Sequence, residues 1–543
     1  MKQTILTRVL LVFVATLFIQ CGSPANDFSE SVVTIADNSE SGTTSEIIGE
    51  SVEELDVADS AVADADLDLS DVSDTNSVLL EIHTMGDTNV GKTIRVGSGS
   101  TSSRALVGPS ALMNETSSAA DMTEDFHELL RAREAELDPA DVSDPSSGVL
   151  MAKTQESVGS VRTFQVLNSF SGSSSYEAVD AELVLSRSDF LFYVDERDLD
   201  RFDDQDLATL ADQFANVLPD ERALFGSPSD VDGNGKVSVL FTRVVNALAG
   251  TGGGIITGFF YAADLQAASH NPDSNESEVI YSFVPDAGGE LGAAISQAFA
   301  FSNIYPGVLP HEYQHIINYN RHALEKGGET EKSFLNEGLS HLAEDIHSMD
   351  RSGFMPKVGL ENYSRVATYL TQIDKVCFTC GANLAQRGGS YLFLRYFYEQ
   401  AELGNLAGAT NGADFIEALL SSTSTGIDNI VQAAGGLTAN RKSFVRLLGK
   451  FALAVYYSNT GYAESDQNQF IGINLRSQQD DNRGTVLNGP SITTISALPS
   501  DQIISGSGII YLKLSGALIQ QAGGHVGLGF NKNSDISGHL IRP

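Results

Sequence analysis

Cysteine is nearly absent from this sequence: 543 residues hold three, Cys21, Cys377 and Cys380. So few exclude a disulfide framework, and a four-thiolate zinc site would need a second CxxC pair beside 377–380. Basic residues are scarce as well, 33 Lys and Arg against 71 Asp and Glu, for a formal charge of -38. Phosphate backbones repel such a chain, which argues against nucleic acid as a partner. Long apolar runs are missing beyond the first segment. The run there, Val9 to Ile19, is too short to span a bilayer by itself.

The surroundings of that run read as an export signal. Lys2 and Arg8 supply a basic n-region and Val9 to Ile19 an h-region, with Cys21-Gly22-Ser23 following at once. In this order the segment resembles a bacterial lipoprotein signal, and the loose Phe18-Ile19-Gln20 before the Cys is similar to spirochaete lipoproteins. The resemblance implies a signal peptide over 1–20 and attachment to the outer membrane or cell surface through lipidated Cys21. The other reading is plain secretion, with cleavage near Ser23-Pro24-Ala25. From Asn26 to Thr75 there are 15 acidic residues and no Lys or Arg. Such a segment buries too little apolar surface to offset its ordering entropy, so 21–76 reads as a disordered acidic tether.

Beyond it, VLLEIHTM, KTIRVGS, VRTFQVL and ELVLSRSDFLFYV are short strand-like runs between Ser/Gly turns, with a helical insert near Asp121 to Glu136. They predict a β-rich N-terminal domain over 77–190. The stretch 461–543, with GIIYLKLSG, predicts a small β-rich C-terminal domain. Between them, a helix from Asp206 to Val217 leads into SDVDGNGKVSVLF, where Asp230, Asp232 and Asn234 alternate before Gly235 as in the first half of a calcium loop. Phe241 stands where an EF-hand needs its bidentate Glu. A full EF-hand is excluded, and the segment is either a tight turn or a partial Ca2+ site. GTGGG at 250–254 lacks the context of a phosphate loop. In an exported chain Cys377 and Cys380 are expected to form a local disulfide.

The informative stretch is HEYQH, His311 to His315, read with NEGLSHLAED from Asn336 to Asp345. Residues four apart share one face of a helix, so His311 and His315 can hold one Zn2+ through two imidazole nitrogens. Glu312 is then placed to take a proton from a water whose pKa the ion lowers. Glu337 is the candidate third ligand. Pro310 predicts a helix starting near Val308 and running to Arg321, and Ser333 caps a second helix from Phe334 to Met349. On that second helix His341 either lines a substrate cleft or is a hydrogen-bonded neighbour, and Glu344 or Asp345 can take the second N–H of a ligating imidazole. Farther on, Tyr391 is the candidate donor to an oxyanion.

FYVDE, FGSPSDVDGNGKVSVLF, HEYQHIINYN and FLNEGLSHLAED resemble the hyicolysin-type metallopeptidases of the HExxH clan, over roughly Leu191 to Tyr457. The resemblance implies an α+β fold. Its centre would be a zincin-like domain at 191–460, with a mixed sheet on the HExxH helix and a helical subdomain after it. It implies His311, His315 and Glu337 as zinc ligands and Glu312 as acid/base, acting as a monomer on protein or peptide substrates. Thermolysin-like enzymes carry Asp four residues after the ligand Glu; this chain has His341. The rival reading is a zincin-fold surface binding protein that no longer cuts, against which the intact Glu312 argues.

Overall fold

The computed structural model describes residues 32–34, 52–56, 64–86, 90–98, 119–142, 156–169, 174–249, 254–347, 360–435, 441–460, 466–479, 484–530 and 536–542. The signal, Cys21 and Gly250 to Gly253 lie outside them. Among the described residues no helix is long and apolar enough to cross a membrane.

In chain order the first strands are β1 (Val32–Thr34), β2 (Val52–Asp56), β3 (Asp64–Asp68), β4 (Ser77–Thr84) and β5 (Lys92–Ser98). Then come β6 (Val161–Ser169), β7 (Ser175–Ser186), β8 (Phe190–Asp195), β9 (Val237–Phe241), β10 (Gly258–Phe260) and β11 (Val279–Ser282). The last are β12 (Ile492–Ile495), β13 (Ser500–Ile504), β14 (Ile509–Ser515), β15 (His525–Phe530) and β16 (Ile536–Ile541). The helices are α1 (Ala119–Glu134), α2 (Asp204–Phe225), α3 (Arg243–Leu248), α4 (Gln297–Phe299), α5 (Tyr305–Tyr319) and α6 (Ser333–His347). They continue with α7 (Leu360–Thr371), α8 (Leu384–Glu402), α9 (Gly412–Leu420), α10 (Gly426–Ala433), α11 (Arg441–Tyr457) and α12 (Gly516–Gln521). The whole is α+β.

Six strands form a mixed sheet in the order β10-β11-β9-β8-β7-β6, with β11, β9 and β8 parallel to one another. Its strands β8, β9 and β11 are buried along their whole length, as strands covered on both faces must be. This corrects the boundary expected at residue 190, because β6 and β7 pair into the same sheet as β8. The helix α5 crosses under β10 and β11. Gly258 permits the approach: a Cβ there would stand 2.7 Å from Val308 Cγ1 and 2.9 Å from the Tyr281 carbonyl oxygen.

The two expected β-domains are one sandwich. One sheet has the order β1-β2-β16-β4-β14-β12 and the other β13-β5-β15-β3, so each combines strands from both ends of the chain. Val78, Leu80 and Ile82 meet Leu512, Leu514, Val526 and Leu528 in its core, while Leu79, Tyr511 and Ile541 turn to the other face and join the core around the mixed sheet and helices. Part of the acidic segment also belongs here, which corrects the tether reading for 52–56 and 64–72. Leu67 and Leu69 are buried between exposed Asp66, Asp68 and Ser70, and this period of two outweighs a charge-rich composition.

After α6 the chain is helical through α7 to α11, as the expected helical subdomain requires. Cys377 and Cys380 are disulfide-bonded in the turn between α7 and α8.

Candidate metal centre

The helix carrying HEYQH starts earlier than expected. Pro306, not Pro310, takes the first turn, where its fixed φ fits and no N–H is missed. Pro310 falls inside α5 at the cost of one i to i−4 bond. His311 is therefore well beyond the first turn, so the dipole of the helix end does little to its charge.

His311 and His315 project from α5 with their Nε2 atoms 3.2 Å apart. Glu337, from the first half of α6, brings Oε2 to 3.5 Å from His311 Nε2 and Oε1 to 3.6 Å from His315 Nε2. All three side chains are buried, and their ligand atoms lie within 4.8 Å of one another. The opposite ring nitrogens are occupied. His311 Nδ1 is 3.0 Å from Glu344 Oε1, and His315 Nδ1 is 2.9 Å from Asn336 Oδ1 and 3.1 Å from Ser340 Oγ. A carboxylate and an amide oxygen can only accept, so both imidazoles carry their proton on Nδ1 and turn an Nε2 lone pair inward. Both oxygens of Glu337 lack a hydrogen bond, although Arg387 Nη1 stands 3.1 Å from Oε2 as an ion partner. Two nitrogen lone pairs and an unbonded buried carboxylate converging on one point fit a tetrahedral cation such as Zn2+ with a position left open.

The charges follow from this geometry. Burial opposes a second proton on His311, but the facing Glu337 carboxylate and the bond to Glu344 raise its pKa to about 9, so a cation at Nε2 has to displace that proton. Burial, with Arg131 adding to it, holds His315 well below its ordinary value. For Glu337 burial acts upward, yet Arg387 and the two histidines hold its carboxyl well below the usual range.

Glu312 is buried beside His311, with Oε2 accepting from the Phe260 backbone N–H of β10 at 2.9 Å. Burial raises its carboxyl against the pull of His311 and Arg131, in the direction a general base requires. His341 is brought close to the cluster, its ring centroid 4.8 Å from that of His311. Its Nδ1 meets Glu344 Oε1 at 2.7 Å, and burial with Arg365 lowers it to about 3.

Tyr391 departs from expectation. Its hydroxyl donates to Asp345 Oδ2 at 3.0 Å, beside Arg395 Nη1, which binds the same oxygen at 2.6 Å. The phenol is fully buried in that ion cluster. Asp345 belongs to this cluster as well, which leaves Glu344 as the partner of His311.

Three residues of α1 were not legible as site residues. Arg131 Nη2 donates to the Phe260 carbonyl at 2.8 Å, and Glu134 Oε1 accepts from the Ala262 N–H at 2.9 Å. Arg131 and Glu134 also pair with each other at 2.7 Å. His127 is buried near Glu337 and Arg387, and burial with the Arg387 charge keeps it neutral. Their signal was the HELLRARE pattern of charges three apart, on a helix whose partner no local pattern could name.

The calcium candidates divide. Asp230 and Asp232 come together with Glu278 of the β11 approach, whereas Asn234 turns its amide to Asp232 and its oxygen to the Lys236 N–H.

No family model matches the chain. Among curated proteins it is similar to the neutral metalloprotease ShpI of Staphylococcus hyicus, at 26% identity over 205 residues, 37% of this chain. The match covers 44% of that protein, so the chain spans less than half the length of this relative. The likeness is to a metalloprotease, and a fold of mixed helix and sheet agrees with it.

Proposed function

We propose that this chain is an exported zinc endopeptidase that hydrolyses extracellular proteins or peptides. The observation that carries the reading is the carboxylate of Glu337, buried without a hydrogen bond and facing the Nε2 atoms of His311 and His315. Bound zinc would supply Lewis acidity for the scissile carbonyl. His311, His315 and Glu337 would hold it, with Glu344, Asn336 and Ser340 fixing the two rings. Glu312 takes a proton from the attacking water and passes it to the departing amide nitrogen. The N–H of Phe260 steadies the Glu312 carboxylate while it is charged. An extended peptide can add as a strand to β10, the edge of the mixed sheet beside Glu312, once the α1 contacts to Phe260 and Ala262 are displaced. Lipid anchoring through Cys21 is part of the same proposal and rests on the sequence alone.

The test is zinc content together with casein hydrolysis for the purified protein and two variants. The reading expects one zinc per chain. Glu312→Gln should keep the metal and lose turnover by at least about a thousandfold, and Glu337→Ala should lose the metal. Zinc without turnover in the unsubstituted protein would favour the binding-protein reading, and normal zinc in Glu337→Ala would remove that ligand.

A further inference from the structure

A second cluster of oxygen donors lies away from the zinc candidates, where α2 hands the chain to β9. The turn between them is DVDGNGK, Asp230 to Lys236. Its backbone has the shape of a cation loop. Asp230 Oδ1 accepts from the Gly235 N–H at 2.9 Å, Asp232 Oδ1 accepts from the Asn234 N–H at 3.1 Å, and Gly235 takes a positive φ of 71°. In the calcium-loop pattern Asp230 and Asp232 hold positions one and three, Gly235 position six, and Lys236 the position that ligates through its carbonyl. The acid required at position twelve is missing from the loop, where Phe241 lies buried in the core.

The fold provides an acid from elsewhere. Strand β11 runs parallel to β9, and the Ser238 N–H bonds the Glu278 carbonyl at 2.9 Å, which sets Glu278 directly beside the turn. Ligand oxygens of Asp230, Asp232 and Glu278 lie within 4.8 Å of one another. Glu278 is 1% exposed. One of its oxygens, Oε1, accepts from the Val231 N–H at 2.9 Å. The other, Oε2, makes no hydrogen bond of ordinary geometry, although the Ser229 hydroxyl lies near enough to the carboxylate to act on it. A carboxylate so deeply buried, with one weakly served oxygen next to two further carboxylates, is costly unless a cation balances the charge.

We infer that Asp230, Asp232 and Glu278 form a calcium site in which Glu278, from a neighbouring strand, stands in for the missing acid of the loop. The donors are all oxygens on a loop and a strand edge, which suits a large cation that accepts six to eight oxygens better than magnesium, which demands a tight octahedron. The ion would tie the α2–β9 turn to β11, so its effect is on stability. The inference does not depend on the zinc reading.

Calcium titration calorimetry, with thermal unfolding, tests it on the purified full chain after chelation and zinc reloading. The expected result is one saturable Ca2+ per chain, with a dissociation constant of about 10⁻⁵ to 10⁻³ M and a weaker response to Mg2+. Ca2+ should also raise the Tm. Glu278→Gln and Asp230→Asn should each weaken binding by about tenfold or more and abolish the rise in Tm, whereas Asp200→Asn, an exposed acid elsewhere, should change neither. Asp230 is exposed, so its variant decides the matter if the buried Glu278 substitution impairs folding. No saturable binding up to about 10 mM Ca2+, equal affinity for Mg2+, or unchanged affinity in Asp230→Asn would overturn the site.

Discussion

Glu344 orients His311: its Oε1 stands 3.0 Å from His311 Nδ1. The same oxygen meets His341 Nδ1 at 2.7 Å, while Oε2 binds Arg365 at 2.9 Å. Thermolysin-like sequences place an acid four residues after the ligand Glu. Here His341 holds that position, and the acid comes seven residues after Glu337, two helical turns along the same face. Glu344→Gln is therefore expected to weaken zinc binding by about 10- to 100-fold. Competition with a chelating dye measures it. Affinity within twofold of the unsubstituted protein would mean that His311 is oriented by something else.

Tyr391 gives its hydroxyl to Asp345 in the buried ion cluster. Loss of an oxyanion donor costs about a hundredfold or more in kcat. Tyr391→Phe, which removes only the hydroxyl bound to Asp345, should instead leave kcat within about threefold and cost about 1 to 2 kcal/mol of stability. A hundredfold fall in kcat with unchanged Tm would restore the phenol to the reaction.

The helix α1 occupies the strand edge proposed for substrate. Arg131 and Glu134 hold the Phe260 carbonyl and the Ala262 N–H, and Phe126 packs edge-on against Phe259 at 5.3 Å. A peptide pairing with β10 has to displace these contacts. Replacing Arg131 and Glu134 together by Ala should raise kcat/KM for a peptide substrate by about tenfold, the worth of one charge-assisted bond. A fall in kcat/KM with intact folding would make α1 part of the working site instead.

Glu221 faces the core from α2, fully buried, with neither oxygen hydrogen-bonded. Burial raises its carboxyl well above the ordinary value, Arg222 opposing. The folded state then holds a proton that the unfolded chain releases near pH 4.5. Its contribution to stability is whole below that pH and is lost as pH rises towards the raised folded value. Glu221→Met should stabilise the protein by about 1 to 3 kcal/mol at neutral pH and more at higher pH, with the smallest gain below pH 4.5. Thermal unfolding across pH 4 to 9 reads this directly. A variant that loses stability at every pH would show that the carboxyl has a partner in solution.

What could be read in advance was local. Helical spacing placed His311, Glu312 and His315 on one helix and Glu337 on the next, and the structure brings them together. The same spacing found α7 to α11. Pairing over long distances was not legible. The strands β4 and β5 looked like part of a domain with β6 and β7 because they are neighbours in sequence, yet they pair with β13 to β16. Nor could any pattern reveal that Arg131 and Glu134 of α1 reach β10, or that Glu278 meets Asp232. In the acidic segment a composition argument hid an alternation that was present, Leu67 and Leu69 between acids and Ser.

The sandwich sets an order of events for the folding chain. Glu81 and His539, bonded at 2.6 Å, are 458 residues apart, and β4 has partners on both sides only when β14 and β16 have arrived. Closing a loop of that length is slow and must wait for the intervening body to become compact. Until then β4 and β5 are apolar strands with open edges, the kind of surface that draws chaperones or aggregates. Shortening the chain at its far end would therefore strand the near end.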